Sequence, residues 1–166
     1  MKIGNVEFGP YPVFLAPMED VTDIGFRLLC KRFGAAMVYS EFVAADALVR
    51  MVNRSLEKLA VCDDERPVAI QIYGKDGPGG RCGPYRGGTC PSRRARLEFR
   101  LPVKRVAGKG AGAGMLQNIP KMLEITQAVV DAVDIPVTVK TRLGWDESSK
   151  VIVDLAERFK IAASGL

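Results

Sequence analysis

Val13-Phe-Leu-Ala-Pro17 is an apolar run that stops at a proline, and the unit it opens recurs along the chain. Such a run reads as a buried parallel strand whose C-terminal end opens into a loop. Asp23 follows as a helix N-cap, and Ile24, Leu28, Leu29 and Phe33 recur at helical spacing until Gly34 ends the pattern. Ala36 to Phe42 repeats the strand signal, followed by a short helical stretch from Ala44 to Val52, and Pro67 to Tyr73 is a third strand closed by Gly74. Further on, Met122, Ile125, Val129 and Val133 predict a helix over Ile119 to Val133. Pro136 to Lys140 predicts another short strand, and Val151 to Phe159 the next helix, with Ile152, Leu155 and Ala156 on one face. Strands alternating with helices imply a parallel sheet with right-handed crossovers.

Two architectures share that alternation, an open doubly wound sheet and a (β/α)8 barrel. Polar or special residues follow the strands, at Pro17-Met18-Glu19-Asp20, Ser40-Glu41, Gln71 to Tyr73 and Lys140-Thr141-Arg142. This favours the barrel, which gathers its active site on the C-terminal face of its strands. A closed barrel needs about eight strands. The visible units support an incomplete α/β barrel of TIM type, about the first five β/α units over residues 1–166.

Gly77 to Leu101 breaks the pattern. Of these 25 residues, 17 are Gly, Pro, Arg or Cys, a composition that predicts neither a helix nor a central strand. The third helix and fourth strand of a barrel are therefore expected to be disrupted. The six arginines of this run, set against its single acid Glu98, account for the whole net charge of +5. The charge is thus a weak pointer to an anionic partner.

The 48% hydrophobic content is enough for a core. Met1 to Pro10 has no apolar stretch of signal-peptide length, and no later window reaches membrane-spanning length, so a cytoplasmic protein without a membrane partner is expected. There is no histidine, which removes the commonest general base and metal ligand. Cys30, Cys62, Cys82 and Cys90 form no CxxC pair, so neither a zinc site nor disulfides are expected. The glycine run from Gly108 to Gly114 reads as a flexible loop. It lacks the Gly-Lys-Ser/Thr of a P-loop, and no convincing strand precedes it.

Four blocks carry a resemblance to a known family: Val13-Phe-Leu-Ala-Pro-Met-Glu-Asp-Val-Thr-Asp23, Ala69-Ile-Gln-Ile-Tyr-Gly74, Pro102 to Leu116, and Val137-Thr-Val-Lys-Thr-Arg-Leu-Gly-Trp145. In order and spacing they resemble the tRNA-dihydrouridine synthases, FMN-dependent (β/α)8 barrels with a helical C-terminal domain. The resemblance covers the front half of a family member. It implies that Ala16, Pro17 and Met18 lie against the flavin ring, that Gln71 hydrogen-bonds its polar edge, and that Lys140 supports its negative charge. Those residue types suit the roles, since an ammonium stabilises charge near N1 of a reduced flavin and a side-chain amide can both donate and accept. Lys104, Arg105, Lys109 and Arg142 resemble the family's RNA-facing loops and would hold phosphates without reading sequence.

The resemblance further implies hydride transfer from reduced FMN, with NADPH as reductant, to C6 of a uracil extruded from tRNA, and protonation at C5 by a cysteine. That cysteine stands in an Asn-x-Gly-Cys-Pro motif. Here the corresponding residues are Glu98-Phe99-Arg100-Leu101-Pro102, and Leu101 has no proton to give. Loss of a general acid is expected to cost about 10²–10⁴-fold in rate. The run keeps the family's length while losing its residue identities, which a compensated pair of frameshifts over 77–101 would explain. A further slip near Ile161 would account for the final residues.

The family places the FMN phosphate on loops of the last two strands and grips tRNA with the helical domain, none of which is visible here. The chain is therefore expected to hold no stoichiometric FMN, to expose sheet edges and to be inactive. Two other readings share these residues: a non-enzymatic remnant or RNA-binding fragment, and another FMN-dependent barrel oxidoreductase acting on a small molecule.

Overall fold

The computed structural model describes residues 1–74, 95–98 and 110–164. Its elements in chain order are β1 (Lys2–Ile3), β2 (Val6–Glu7), α1 (Ile24–Arg32), β3 (Val38–Ala44), α2 (Ala45–Val49), α3 (Asn53–Glu57), β4 (Val68–Tyr73), β5 (Ala95–Glu98), α4 (Ile119–Asp131), β6 (Val137–Lys140) and α5 (Ile152–Ser164). Two 3₁₀ turns, Asp63–Glu65 and Gly112–Gln117, precede β4 and α4. The main sheet is parallel, in the order β3-β4-β5-β6. The alternation expected from the sequence is thus present, as an open sheet among the described residues.

Local chemistry accounts for the helix limits. Asp23 Oδ1 accepts the Phe26 N–H at 2.8 Å to open α1, Lys31 and Arg32 occupy its last turn, and Gly34 leaves at φ +93°. Asn118 Oδ1 accepts the Lys121 N–H at 3.2 Å to open α4, with Pro120 in the first turn.

One face of the sheet packs against helices. Met115, Leu116, Met122, Ile125, Val129 and Leu155 form a buried cluster that receives Ile72 of β4 and Val137 and Val139 of β6. Met122 and Leu155 are fully enclosed, and burial of such side chains stabilises by about 1.5–3 kcal/mol each. The opposite face is closed at its lower end by Phe8, Met37, Tyr39 and Ala69, with Ile3 and Val6 of the β1–β2 hairpin against them. Phe8 and Phe14 meet edge to face at 4.9 Å. The hairpin turns at Gly4, φ +54°, directly over the Pro136 ring.

Several expectations are corrected. The anomalous run does supply a central strand: Ala95–Glu98 pairs with β4 on one side and β6 on the other. The physical reason is local, because Ala95-Arg-Leu-Glu98 contains neither Gly nor Pro and can complete both ladders, which the average over 25 residues concealed. The expected disruption of the third helix lies outside the described residues.

The first strand, expected over Val13 to Pro17, is reduced to one parallel bridge, Phe14 with Met37, supported by Leu15 N–H to Met37 O at 2.9 Å and Ala36 N–H to Val13 O at 2.8 Å. The α1 stripe is only partly covered, with Leu29 and Phe33 exposed. The stretch after β3 splits into α2 and α3 where Met51 takes φ +56°. The end of the glycine run is no flexible loop, since Ala111 to Leu116 are buried. No helix among the described residues is long and apolar enough to cross a membrane.

Candidate flavin-facing site at the strand ends

Register brings the site together. Gln71 of β4 is aligned with Arg96 of β5, and Arg96 with Thr138 of β6. Residues in register on parallel strands share a face, and a strand spacing of about 4.8 Å puts Gln71 and Thr138 roughly 10 Å apart. Lys140 lies two residues beyond Thr138 on that same face, level with Tyr73. This face is opposite the helix-packed one that carries Ile72, Val137 and Val139.

The backbone of Gln71 is tied to β3. Between Tyr39 and Phe42 the β3–β4 register shifts, and at this bulge the Ser40 hydroxyl accepts the Gln71 N–H at 3.0 Å. Ser40 and Glu41 thus lie inside β3 rather than after it. Phe42, aligned with Gln71, packs its ring edge to face on Tyr73 at 5.4 Å. Gln71 is 3% exposed, so its amide belongs to the interior of the face.

Thr138 and Thr141, on either side of Lys140, each have a buried hydroxyl with no hydrogen-bond partner among the described residues. Such groups are costly unless something polar meets them. The sequence places Thr138 within a β-branched strand and Thr141 among the polar residues that follow it, and assigns neither a site role. Pro17 is half-buried, and Ala16 and Met18 are exposed where the chain leaves the Phe14 bridge at the same end of the sheet. Amide, ammonium, hydroxyl and exposed apolar edge are a donor set that fits a planar heteroaromatic ring with one polar edge.

Beyond β6, Lys140, Arg142, Trp145 and Lys150 line a concavity of about 430 Å³. Arg142 is exposed there. Asp146 shapes the loop, its Oδ1 accepting Ser149 Oγ at 2.7 Å, Ser148 Oγ at 2.8 Å and Ser148 N–H at 3.1 Å. These bonds, led by the one from the Ser149 hydroxyl, hold its carboxyl below the ordinary 3.8. Leu101, Lys104, Arg105 and Lys109 lie outside the described residues.

The model of the dihydrouridine synthase family (Dus) matches residues 14–78 and 101–164, which together make up most of the chain. The chain belongs to the dihydrouridine synthase family. Within this family member the match omits 79–100, the interior of the anomalous run. A probable tRNA-dihydrouridine synthase of Rickettsia prowazekii is 38% identical over 165 residues, covering 99% of this chain and 49% of that protein. The tRNA-dihydrouridine synthase B of Pseudomonas aeruginosa is 38% identical over 167 residues, covering 95% of this chain and 50% of that protein. The chain spans about half the length of the curated relatives it matches.

The structure therefore brings Gln71 and Lys140 to one face and Ala16, Pro17 and Met18 to the adjoining strand end, and it leaves Arg142 apart on the neighbouring loop. Three further residues escaped the sequence reading. Arg27, Glu65 and Thr22 are buried at 3%, 0% and 1% exposure and connected by hydrogen bonds. The available signal was positional, since Arg27 follows Ile24 by three residues on the apolar stripe of α1.

Proposed function

We propose that this chain is the front half of a (β/α)8 barrel that recognises the FMN ring for reduction of uridine to 5,6-dihydrouridine in tRNA, with NADPH as reductant, in the cytoplasm. The observation that carries this reading is the shared face of Gln71, Thr138 and Lys140 beside the exposed Ala16–Met18 edge. When bound, the flavin supplies hydride chemistry. Gln71 would meet the ring's polar edge by donating and accepting, and the Thr138 hydroxyl would find there a partner that it lacks among the described residues. The Lys140 ammonium would offset negative charge on the ring. Pro17 and Met18 would cover a ring face and keep water from it.

Arg142 would hold RNA phosphate beside the site, as would Lys104, Arg105 and Lys109. Leu101, at the place of the family's proton-donating cysteine, cannot protonate C5 of uracil. Base reduction by this polypeptide is accordingly expected to be absent, and the compensated frameshift over 77–101 is proposed as the cause. The names of the relatives, which specify tRNA-dihydrouridine synthases, support the substrate class.

Two measurements test the reading. Lumiflavin, the ring without its ribityl phosphate, is titrated into the chain, and weak, reversible quenching of its fluorescence is expected, while no stoichiometric FMN is retained through purification. Unmodified tRNA is then incubated with the chain, FMN and NADPH, and no dihydrouridine is expected by mass spectrometry. Absence of any ring binding overturns the flavin assignment, and dihydrouridine formation overturns the inactivity. Enone reduction without dihydrouridine would favour a small-molecule oxidoreductase.

A further inference from the structure

Thr22 is enclosed although it stands in the loop that follows the first strand. Its Oγ1 accepts the Met18 N–H at 3.0 Å and donates to the Met18 carbonyl at 2.9 Å, a carbonyl that also accepts the Val21 and Thr22 N–H groups at 3.2 and 3.0 Å, so the hydroxyl is the partner of the Met18 N–H and one of three donors on its carbonyl. The Thr22 carbonyl accepts Arg27 Nη1 at 2.8 Å. Arg27 is itself fixed, with Nε and Nη2 on the Glu65 carboxylate and Nη2 on the Ala60 carbonyl at 3.0 Å. Glu65 Oε1 also accepts the Cys62 N–H at 2.9 Å. The chain of bonds runs from the turn before β4, through α1, to the backbone of Met18.

The same loop is held from its other side. Lys58 pairs with Glu19 and, at 3.1 Å, with Glu41. Between these anchors Asp20 takes φ +60°. Aspartate tolerates that region better than most non-glycine residues, and the turn it makes fits between the two anchors. Simple stability does not require such a device, because a buried ion pair is often replaceable by apolar residues without loss. Its distinctive product is geometric: Ala16 and Met18 remain exposed while the Met18 backbone is immobilised from within.

We infer that Thr22, locked by the Arg27–Glu65 pair, is a positioning residue that sets the Ala16–Met18 edge so that a flat heteroaromatic ring can stack on it. The nature of the ring rests on the flavin reading above, whereas the holding of Met18 does not. Thr22 touches no ligand in this scheme and acts through Met18.

The test compares Thr22→Val and Thr22→Ser in the full chain, reading amide exchange by NMR and lumiflavin affinity by fluorescence. Thr22→Val is expected to raise exchange at Met18 and weaken lumiflavin about tenfold, the scale of one lost buried hydrogen bond. Exchange across α4 and β6 should not change, and Thr22→Ser should restore both readouts. Unchanged lumiflavin affinity in Thr22→Val, or failure of the serine to rescue it, overturns the inference. A wild-type chain that binds no lumiflavin overturns the flavin reading instead. The exchange arm then decides alone: raised exchange at Met18 with serine rescue sustains the positioning role, and unchanged exchange ends it.

Discussion

The Arg27 guanidinium meets the Glu65 carboxylate through two hydrogen bonds, with Arg27 3% and Glu65 0% exposed. The pair joins α1 to the 3₁₀ turn that leads into β4, elements 38 residues apart in sequence. Two charges removed from water in this way depend on each other, and breaking such a pair typically costs ~3–5 kcal/mol because the survivor stays buried and uncompensated. Arg27→Met or Glu65→Gln alone should lower the urea midpoint sharply. Arg27→Met combined with Glu65→Leu should recover much of the loss. A double variant as unstable as the sum of the singles would contradict the coupling.

Gly4 is a second place where backbone geometry holds the fold. It turns the β1–β2 hairpin at φ +54°, and an added Cβ would collide with the Pro136 ring at the start of β6. Gly4→Ala combines a left-handed alanine with that overlap, each worth roughly 1–3 kcal/mol. The expected result is a clear drop in melting temperature. Gly9→Ala is the control, since nothing lies within 4 Å of its added Cβ. Equal effects of the two substitutions would show that the hairpin does not press on β6.

Much of this fold was legible from periodicity, and the exceptions have physical causes. Met122, Ile125 and Val129 mark α4 at helical spacing and are all buried. The stripe on α1 obeys the same spacing, yet Leu29 and Phe33 are exposed, because burial depends on a neighbour and not on the pattern. β5 was missed because composition was averaged over a window that mixed Gly and Pro with four residues fit for a strand. Gln71 and Lys140 could be found through the family's motifs. The Thr22–Arg27–Glu65 chain offered only the position of Arg27 on the α1 stripe, and because a charged helical residue usually faces solvent, tertiary structure was needed to show that it turns inward.

Asp146 provides a titration. Its carboxyl is held below 3.8 by the hydroxyls of Ser149 and Ser148, so the folded loop prefers the ionised form. A depressed folded value means that its contribution is present above the unfolded value and is lost as pH falls through the folded one. NMR titration should place the Asp146 carboxyl below 3.8, and Ser148→Ala with Ser149→Ala should raise it toward 3.8. Amide exchange at Ser148 should quicken below that range in the wild type and be insensitive to pH in Asp146→Asn, after correction for intrinsic exchange. No rise in the double-alanine variant would refute this account.

Arg142 is exposed on the loop after β6, where the proposed role of its guanidinium is to meet phosphate. Arg142→Ala should weaken binding of unrelated RNAs alike and reduce the slope of log affinity against log salt by about one. Filter binding at several salt concentrations checks both. A sequence-selective loss with an unchanged slope would show that Arg142 contacts bases instead.

Lys140 offers the most direct electrical test of the strand-end site. It is half-buried on the face it shares with Gln71 and Thr138, so its ammonium acts through a medium less polarisable than bulk water. A cation there favours the reduced, negatively charged ring over the oxidised, neutral one. Replacing it with a neutral side chain of similar length should therefore weaken binding of the reduced ring more than that of the oxidised ring. For Lys140→Met a ten- to hundredfold differential corresponds to a lowering of the two-electron potential of the bound ring by about 30–60 mV. Lumiflavin titrations in the oxidised and dithionite-reduced states measure both affinities. Equal losses in the two states would leave Lys140 as a general contact and remove its role in supporting the reduced charge.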